Sequence, residues 1–193
     1  NGFRPAFQPG EIRRALEETI GKQANALIDE FDVSGDVELR EAFASRLPIR
    51  VMLELFGMSL SDEPLLRTFY NSFEAALSNF SGDASVRSTA QIAVGAFHAK
   101  LQDLLEDERK RKTNSLIGQL LNLSVSEALS DDEIKRNMSI VLFGGISTIE
   151  ALLLNSIWSF SNHLGQFVRL REALSFLPPA SNELIPGTAT LRP

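Results

Sequence analysis

The stretch FGGISTIEA, residues 143–151, lies in the middle of an apolar run over residues 138–160 and decides the fold. A Ser-x-x-Glu capping box begins at Ser130, where the serine oxygen can accept a backbone N–H bond and the glutamate can reach back to the cap. Together these signals predict one helix over about residues 131–163. Such a helix is far longer than the globular average, and each of its two central glycines costs about 1 kcal/mol. The helix therefore either has a functional kink or crosses a domain larger than 193 residues can form.

Apolar residues recur at spacings of three and four through most of the remaining chain, which is the pattern of amphipathic helices. Pro48 suits the first turn of a helix, and Gly57 is placed to close that helix in the left-handed conformation. Ser61 begins an N-terminal cap for the next helix. The sequence shows no strand-rich region and no repeat. We therefore predict an all-α fold in which residues 1–193 form a single helical unit.

The helix predicted after Ser61 carries an unusually aromatic stripe. Its apolar positions are Leu65, Leu66, Phe69, Tyr70, Phe73, Leu77 and Phe80. Such a stripe is typical of a hydrophobic core, but a row of phenylalanines beside the loop at residues 81–83 could also line a cavity for an apolar ligand. The sequence leaves both interpretations open.

Cysteine is absent from the chain, and only two histidines are present. This composition excludes disulfide frameworks, thiolate nucleophiles, cysteine-ligated zinc and a cysteine-ligated haem built from these residues. His98 and His163 could offer a nitrogen ligand, but each is more typical of a surface or core histidine. We predict no metal site among these residues, and hydrolase or transferase motifs are absent from the sequence.

The net charge of −6 and the lack of a cationic face argue against a nucleic-acid partner. The one dense basic run, residues 109–112, is typical of the solvated end of a helix, where cations face the carbonyl terminus. Glu150 interrupts the apolar run over residues 138–160, so we predict a long buried helix rather than a membrane span. We expect no targeting segment at the start of the chain, and the composition suits a reducing, cytoplasmic location.

The middle of the long helix combines residue types that suit a flat group and a small molecule. Gly144 and Gly145 let the helix pass close to such a group, and the Thr148 hydroxyl can donate and accept where the hydrogen-bond ladder opens. Ile140, Gly144 and Thr148 share one face, with Phe143 adjacent, and we predict that this face forms the wall of an apolar pocket. The alternative is tight packing at the glycines, with Thr148 bonded to the carbonyl four residues earlier.

Residues 143–151 resemble the central helix of bacterial-type cytochromes P450, a family of haem-thiolate monooxygenases. The family pattern is Ala or Gly, Gly, any residue, an acid and Thr, and the chain matches it except at Ser147, which stands where the acid usually lies. Flanking segments occur in the family's order. These segments are residues 3–9 (FRPAFQP), 36–39 (DVEL), 47–49 (LPI), 55–58 (LFGM), 129–137 and 158–163. The resemblance covers nearly the whole chain.

The resemblance implies that the chain is the helical portion of a monooxygenase that inserts one oxygen atom from O₂ into an apolar substrate. It implies haem as the cofactor of the full family, an apolar small molecule as substrate and an electron-transfer protein as partner. It assigns the role of oxygen-activating helix to residues 131–163. The implied site residues are Thr148 and Ser147 in a proton relay, Gly144 and Gly145 at an oxygen groove, and Ile140 and Phe143 at the substrate wall.

Three departures from the family pattern limit that function. Ser147 cannot supply a carboxylate, and Pro186 stands in the arginine position of the family's Glu-x-x-Arg helix, within a degenerate tail over residues 177–193. The cysteine that would ligate the haem iron is not among these residues. We therefore predict that this chain alone binds no haem and is inactive. The alternative is a degenerate, non-catalytic helical binding or interaction module, and uncovered apolar surface predicts self-association.

Overall fold

The computed structural model describes residues 9–31, 35–111, 116–121 and 129–172, and these ranges contain helices and no β-strand. The helices are α1 Pro9–Asp29, α2 Arg46–Phe56, α3 Glu63–Leu77, α4 Ala84–Arg111, α5 Leu116–Leu121, α6 Asp131–Asn162 and α7 Leu164–Glu172. A π-helical turn, Arg40–Ala44, precedes α2, and a 3₁₀ turn, Leu60–Asp62, precedes α3. The prediction of an all-α fold is confirmed. The tail over residues 177–193, with Pro186, and the motif at residues 3–8 lie outside the described residues.

The predicted long helix is present as α6, and its capping box is formed. The Ser130 Oγ accepts from the backbone N–H of Glu133 at 3.3 Å, and the Glu133 Oε2 accepts from the backbone N–H of Ser130 at 2.9 Å. Acidic residues fill the first turn, where the helix dipole favours them. The helix ends at Asn162, one residue before the predicted end.

The ends of α2 and α3 show one correct and one wrong prediction. Gly57 closes α2 with a φ of 73°, the left-handed conformation in which glycine has no steric cost, as predicted. The predicted cap at Ser61 is wrong, because Ser59 caps the 3₁₀ turn before α3, and the N-cap residue of α3 is Asp62, which makes no side-chain cap hydrogen bond. The Ser59 Oγ accepts from the backbone N–H of Ser61 at 3.2 Å, and its own N–H donates to Asp62 at 3.2 Å. The cap lies earlier because a 3₁₀ turn precedes α3.

The main hydrophobic core forms where α3 packs along α4 and both contact α6. Leu66 and Phe69 of α3, Phe97 of α4, and Met138 and Leu142 of α6 are fully buried in it. The ring centroids of Phe69 and Phe97 lie 4.4 Å apart. The core is thus built from residues on three helices that are distant in sequence.

The aromatic stripe of α3 divides into a buried part and an open part. Phe69 and Tyr70 are buried and Phe73 is half-buried, whereas Leu77 is exposed and Phe80, in the loop after the helix, is 96% exposed. The core interpretation holds for the first part of the stripe, and the second part faces solvent.

A charged network joins the end of α1 to α2 and α3. The buried Arg50 donates to Glu30 at 2.7 Å and to Glu63 at 3.1 Å, and Arg46 donates to the same carboxylates at 2.6 and 2.8 Å. Burial acts to raise the pKa of Glu63, but the hydrogen bonds from Arg46 and Arg50 outweigh burial and hold that pKa below its usual value. The network therefore stabilises the packing of these elements through ionised groups.

Burial along α6 is confined to its first half. The buried residues of this helix are Ile134, Met138, Ser139, Leu142 and Ile146, and none follows Ile146. By length and composition α6 could cross a membrane, and 17% of its most apolar window is buried. The prediction of a long buried helix is therefore wrong for the second half. The prediction that α6 does not span a membrane stays a prediction.

Candidate functional site

The two central glycines of α6 have different surroundings. A Cβ at Gly145 would overlap the Cε of Met52, so α2 and α6 approach closely at this position. A Cβ at Gly144 would meet no neighbouring atom within 4 Å. Gly145 therefore serves the packing of the two helices, whereas Gly144 leaves the backbone accessible to a flat group.

Ile140, Gly144 and Thr148 lie in one row, which we call the open face of α6. Ile140 is 66% exposed, and the other two residues are exposed as well. The Thr148 Oγ1 donates to the carbonyl oxygen of Gly144 at 2.6 Å. This is the back-bonded geometry that the alternative interpretation predicted, and it leaves the hydroxyl oxygen able to accept from the open face.

The Phe143 ring lies off the open face and against α3, and its predicted place at a substrate wall stays a prediction. Its half-buried ring packs against Tyr70, with centroids 6.0 Å apart, and against Phe73, with centroids 5.2 Å apart. One residue along a helix is a rotation of about 100°, which is enough to turn the ring towards α3. Phe143 therefore belongs to the core.

A cleft of about 360 Å³ lies between the π-helical turn, α3 and α6, and we call it the α3–α6 cleft. Ser147 lines this cleft, whereas Thr148 lies on the open face, so the two predicted relay residues serve neighbouring but different surfaces of α6. The cleft is also lined by charged and polar side chains. They include Arg40, Glu41, Arg67, Tyr70, Asn71, Glu74 and Glu150.

Hydrogen bonds connect the polar groups of the cleft. The Tyr70 hydroxyl donates to the Glu74 Oε1 at 3.0 Å, and the Arg40 Nε donates to the Glu150 Oε1 at 2.6 Å. Burial and the hydrogen bond to the Glu74 carboxylate hold the pKa of Tyr70 above its usual value. The cleft thus places a buried phenol against an exposed carboxylate.

The sequence alone does not assign Glu74, Arg40 or Glu150 to a site, and it places Tyr70 only in the aromatic stripe of α3. Glu150 carried a usable signal, because it follows Ser147 by three residues and must therefore share a helix face with it. Arg40 and Glu74 come from segments far away in sequence, and no local pattern indicates that they meet α6.

Neither histidine lies at the open face. The His98 Nε2 lies 3.0 Å from the Ser139 Oγ between α4 and α6, and burial together with the nearby Lys135 lowers the pKa of His98. His163 is the C-terminal cap of α6. In the ranges that the structure describes, no group of three His, Cys, Asp or Glu side chains could bind a metal ion.

Proteins similar to this chain are cytochromes P450, although no protein-family model matches it. Cytochrome P450(MEG) of Priestia megaterium is 26% identical over 182 residues, which cover 93% of this chain and 44% of that protein. Vitamin D(3) 25-hydroxylase of Pseudonocardia autotrophica is 27% identical over 172 residues, 88% of this chain and 41% of that protein. The ligand-free structure of cytochrome P450 TbtJ1 matches with a TM-score of 0.80 and 25% identity, over 93% of this chain and 47% of its own.

The described helices therefore have the fold of the helical part of a cytochrome P450. The predicted resemblance of the chain to cytochromes P450 is confirmed by these similarities. The chain spans less than half the length of the curated relatives that it matches.

Proposed function

We propose that the chain contributes the oxygen-activating helix and its neighbouring helices to a cytochrome P450-like monooxygenase. The observation that carries this proposal is the open face of α6. On it an exposed apolar side chain, a glycine without close neighbours and a hydroxyl lie in one row. The reaction would insert one oxygen atom from O₂ into an apolar small molecule, with electrons from a protein partner.

Haem is the cofactor that the family implies, and the open face fits one side of it. No atom lies within 4 Å of a Cβ placed on Gly144, and Ile140 offers apolar contact beside that space. The chain contains no cysteine, so a thiolate ligand to the iron would come from outside these residues. When bound, haem would supply the activation of dioxygen. The open face would supply one wall for it.

Thr148 holds a proton next to that wall. Its hydroxyl donates to the Gly144 carbonyl oxygen with 2.6 Å between the two oxygens, and its lone pairs can accept from a group on the open face. Rotation about one side-chain bond would redirect the hydroxyl towards the open face without moving the helix. Gly144 would therefore supply both the space and the carbonyl that keeps the hydroxyl in place.

The proposal includes a cytoplasmic location, no membrane insertion and no nucleic-acid partner. Glu150, in the second half of α6, pairs with Arg40 of the π-helical turn at 2.6 Å, and this ion pair would be costly in a bilayer. The formal charge of −6 opposes binding to phosphates.

The proposed haem contact at the open face of α6 is tested by measuring whether haem co-elutes with the chain. A small thiolate is added to supply the iron ligand. We expect haem to elute with the wild type and with Gly165→Leu, because Gly165 is equally free of neighbours but lies in α7. Gly144→Leu occupies the space beside Gly144 and should weaken haem binding by about tenfold or more, equivalent to at least about 1.4 kcal/mol. Equal co-elution with the two variants would contradict the proposal.

The spectrum of the reduced, carbon monoxide-treated chain tests the predicted inactivity. Without added thiolate we expect no shifted Soret band of the thiolate-ligated type, because the sequence has no cysteine. Appearance of that band would show that the chain alone forms the complete site.

A second candidate function is a non-catalytic interaction module, and two observations favour it. Met52 fills the space at Gly145, and Thr148 is bonded back to its own helix, so both features also have a packing explanation. Apolar side chains are exposed at the end of α6 and on α7. They are Trp158, Leu164, Phe167 and Val168. We propose that this surface, the α6–α7 patch, mediates self-association in either case.

Sedimentation or light scattering at micromolar concentration tests the α6–α7 patch. We expect a mass above that of one chain, which Trp158→Asp shifts towards the monomer. Ile92→Asp is the matched control, because Ile92 on α4 has the same 71% exposure as Trp158. A clean monomer in the wild type, or an equal effect of the two variants, would argue against the patch.

A further inference from the structure

We propose that Arg40 and Glu150 are positioning residues, and that their ion pair holds the second half of α6 at one rotation and so keeps Thr148 on the open face. The inference rests on the proposed function for its purpose, because the open face needs Thr148 in the row of Ile140 and Gly144. The effect of the pair on α6 can be tested without haem.

The second half of α6 needs an attachment of its own. Burial of this helix ends at Ile146, directly after Gly144 and Gly145. Helices bend readily at glycines, because glycine favours the helical backbone less than any residue except proline. The core therefore fixes the first half of α6 directly, and it fixes the second half only through a turn that bends easily.

Glu150 is an unusual residue for this part of the chain. It is the only Asp, Glu, Lys or Arg in residues 137–168. Its side chain is 12% exposed, and its Oε1 accepts from the Arg40 Nε at 2.6 Å. Replacing a buried ion pair with apolar residues is often neutral or stabilising, so stability alone does not explain a charge in an apolar helix. The specific arrangement that the pair imposes does explain it.

Arg40 is the fixed end of the pair. It begins the π-helical turn, and its carbonyl oxygen accepts from the backbone N–H of Ser45 at 2.9 Å. The Glu38 carboxylate accepts from the backbone N–H groups of Arg40 and Glu41 at 3.4 and 2.6 Å. The backbone of this turn is therefore held by its own hydrogen bonds, and its guanidinium reaches across to Glu150.

Helix geometry connects the pair to Thr148. Two residues along a helix are a rotation of about 200°, so Thr148 lies on almost the opposite side of α6 from Glu150. Fixing Glu150 against the π-helical turn therefore turns Thr148 away from that turn and onto the open face, where Thr148 is exposed.

Leu153 offers a second contact for this half of α6. It is half-buried against a small cluster formed by Leu27, Leu47 and Val51. Apolar contact is non-directional, whereas a charge-assisted hydrogen bond constrains an angle as well as a distance. Leu153 therefore adds attraction, and the Arg40–Glu150 pair sets the rotation.

Hydrogen exchange of the whole chain, measured by mass spectrometry, tests the pair. We expect Glu150→Gln to raise the exchange rates of amides 147–154 by about tenfold, with no change over residues 134–142. Glu41→Gln is the matched control, because Glu41 contacts the same guanidinium at 3.5 Å from an exposed position. It should change neither segment. Arg40→Lys keeps the positive charge and should keep the protection.

A double variant separates one shared contact from two independent residues. Arg40→Ala leaves the Glu150 carboxylate without its partner and should raise exchange at least as much as Glu150→Gln. Combining the two substitutions should raise exchange no further than Arg40→Ala does. If Arg40→Ala fails to fold by circular dichroism, about 1 M NaCl replaces it, and the salt should speed exchange of amides 147–154 in the wild type but not in Glu150→Gln. Unchanged exchange in Glu150→Gln, an equal effect of Glu41→Gln or additive effects of the two substitutions overturns the inference.

Co-elution of haem with added thiolate tests the purpose of the pair. We expect Glu150→Gln to weaken haem binding by about tenfold and Glu41→Gln to leave it unchanged. If haem binds equally to both variants and to the wild type, the pair does not position the open face. If the wild type binds no haem, the proposed function fails, and the exchange rates still decide whether the pair holds α6.

Discussion

The two halves of α6 have similar apolar composition but different surroundings. In the first half Ile134, Met138 and Leu142 are fully buried against α3 and α4, whereas in the second half Trp158 is 71% exposed and no residue is buried. The difference arises because the helices that could cover α6 contact its first half and middle. The apolar content of a helix therefore does not reveal how much of it a given chain covers.

The largest difference in the free energy of unfolding should separate two apolar truncations on opposite sides of the first half of α6. Leu142→Ala removes a fully buried side chain and should lower the free energy of unfolding by about 2–5 kcal/mol. Ile140→Ala, on the open face, should change it by about 0.5 kcal/mol or less. Urea unfolding measures both. Similar losses of unfolding free energy in the two variants would show that Ile140 is covered in solution and would contradict the difference between the two sides of α6.

Charged groups should show the same contrast between covered and open regions. Glu63→Gln weakens the network around the buried Arg50 and should cost about 1–3 kcal/mol, whereas Asp107→Asn affects an exposed pair and should cost almost nothing.

The dependence of the free energy of unfolding on acidic pH tests the direction of this effect. The pKa of Glu63 is lowered in the folded state, so its contribution is present above its unfolded pKa of about 4.3 and is lost as the pH falls through the folded value. We expect the acid loss to be shallower in Glu63→Gln, and an identical curve would refute the role of the network.

Gly144 and Gly145 allow the open and covered sides of α6 to be compared within a single helical turn. Gly144→Ala should increase the free energy of unfolding by about 1 kcal/mol, because alanine favours the helix and meets no neighbour. Gly145→Ala should gain less, because the Cε of Met52 must move away. Thermal unfolding of the two variants and of Gly145→Ala combined with Met52→Ala measures this difference. Equal gains from the single variants would mean that Met52 moves freely.

The smallest effects concern two hydroxyls of α6. Thr148→Val removes an exposed bond to Gly144 and should cost about 0.5 kcal/mol or less. Ser139→Ala removes a buried hydroxyl shared with His98 and the Lys135 carbonyl and should cost about 1 kcal/mol. A larger cost at Thr148 than at Ser139 would reverse the assignment of the open and covered faces.

Local signals in the sequence were sufficient to predict helix ends where the deciding atoms lie within one turn. The Ser130 box and Gly57 are such cases. Ser61 is a different case, because Ser59, two residues earlier, caps a 3₁₀ turn before α3, and the presence of that turn depends on backbone geometry.

The candidate site was predictable only along α6. The spacing of Ile140, Gly144 and Thr148 predicts their common face, but the placement of Phe143 depends on Tyr70 and Phe73 in α3. The cleft depends on Arg40 and Glu74, whose approach to α6 is a product of tertiary packing. Helical periodicity carries no information about such contacts.

The uneven covering of α6 also has a kinetic consequence. At 1.5 Å per residue the helix is about 48 Å long, and its buried residues lie only in the first half. Amide protons near Leu142 can exchange with deuterium only when the core opens, whereas those near Trp158 need only the fraying of a few turns. One continuous helix should therefore contain amides whose exchange half-lives differ by orders of magnitude, with the change in rate falling after Ile146.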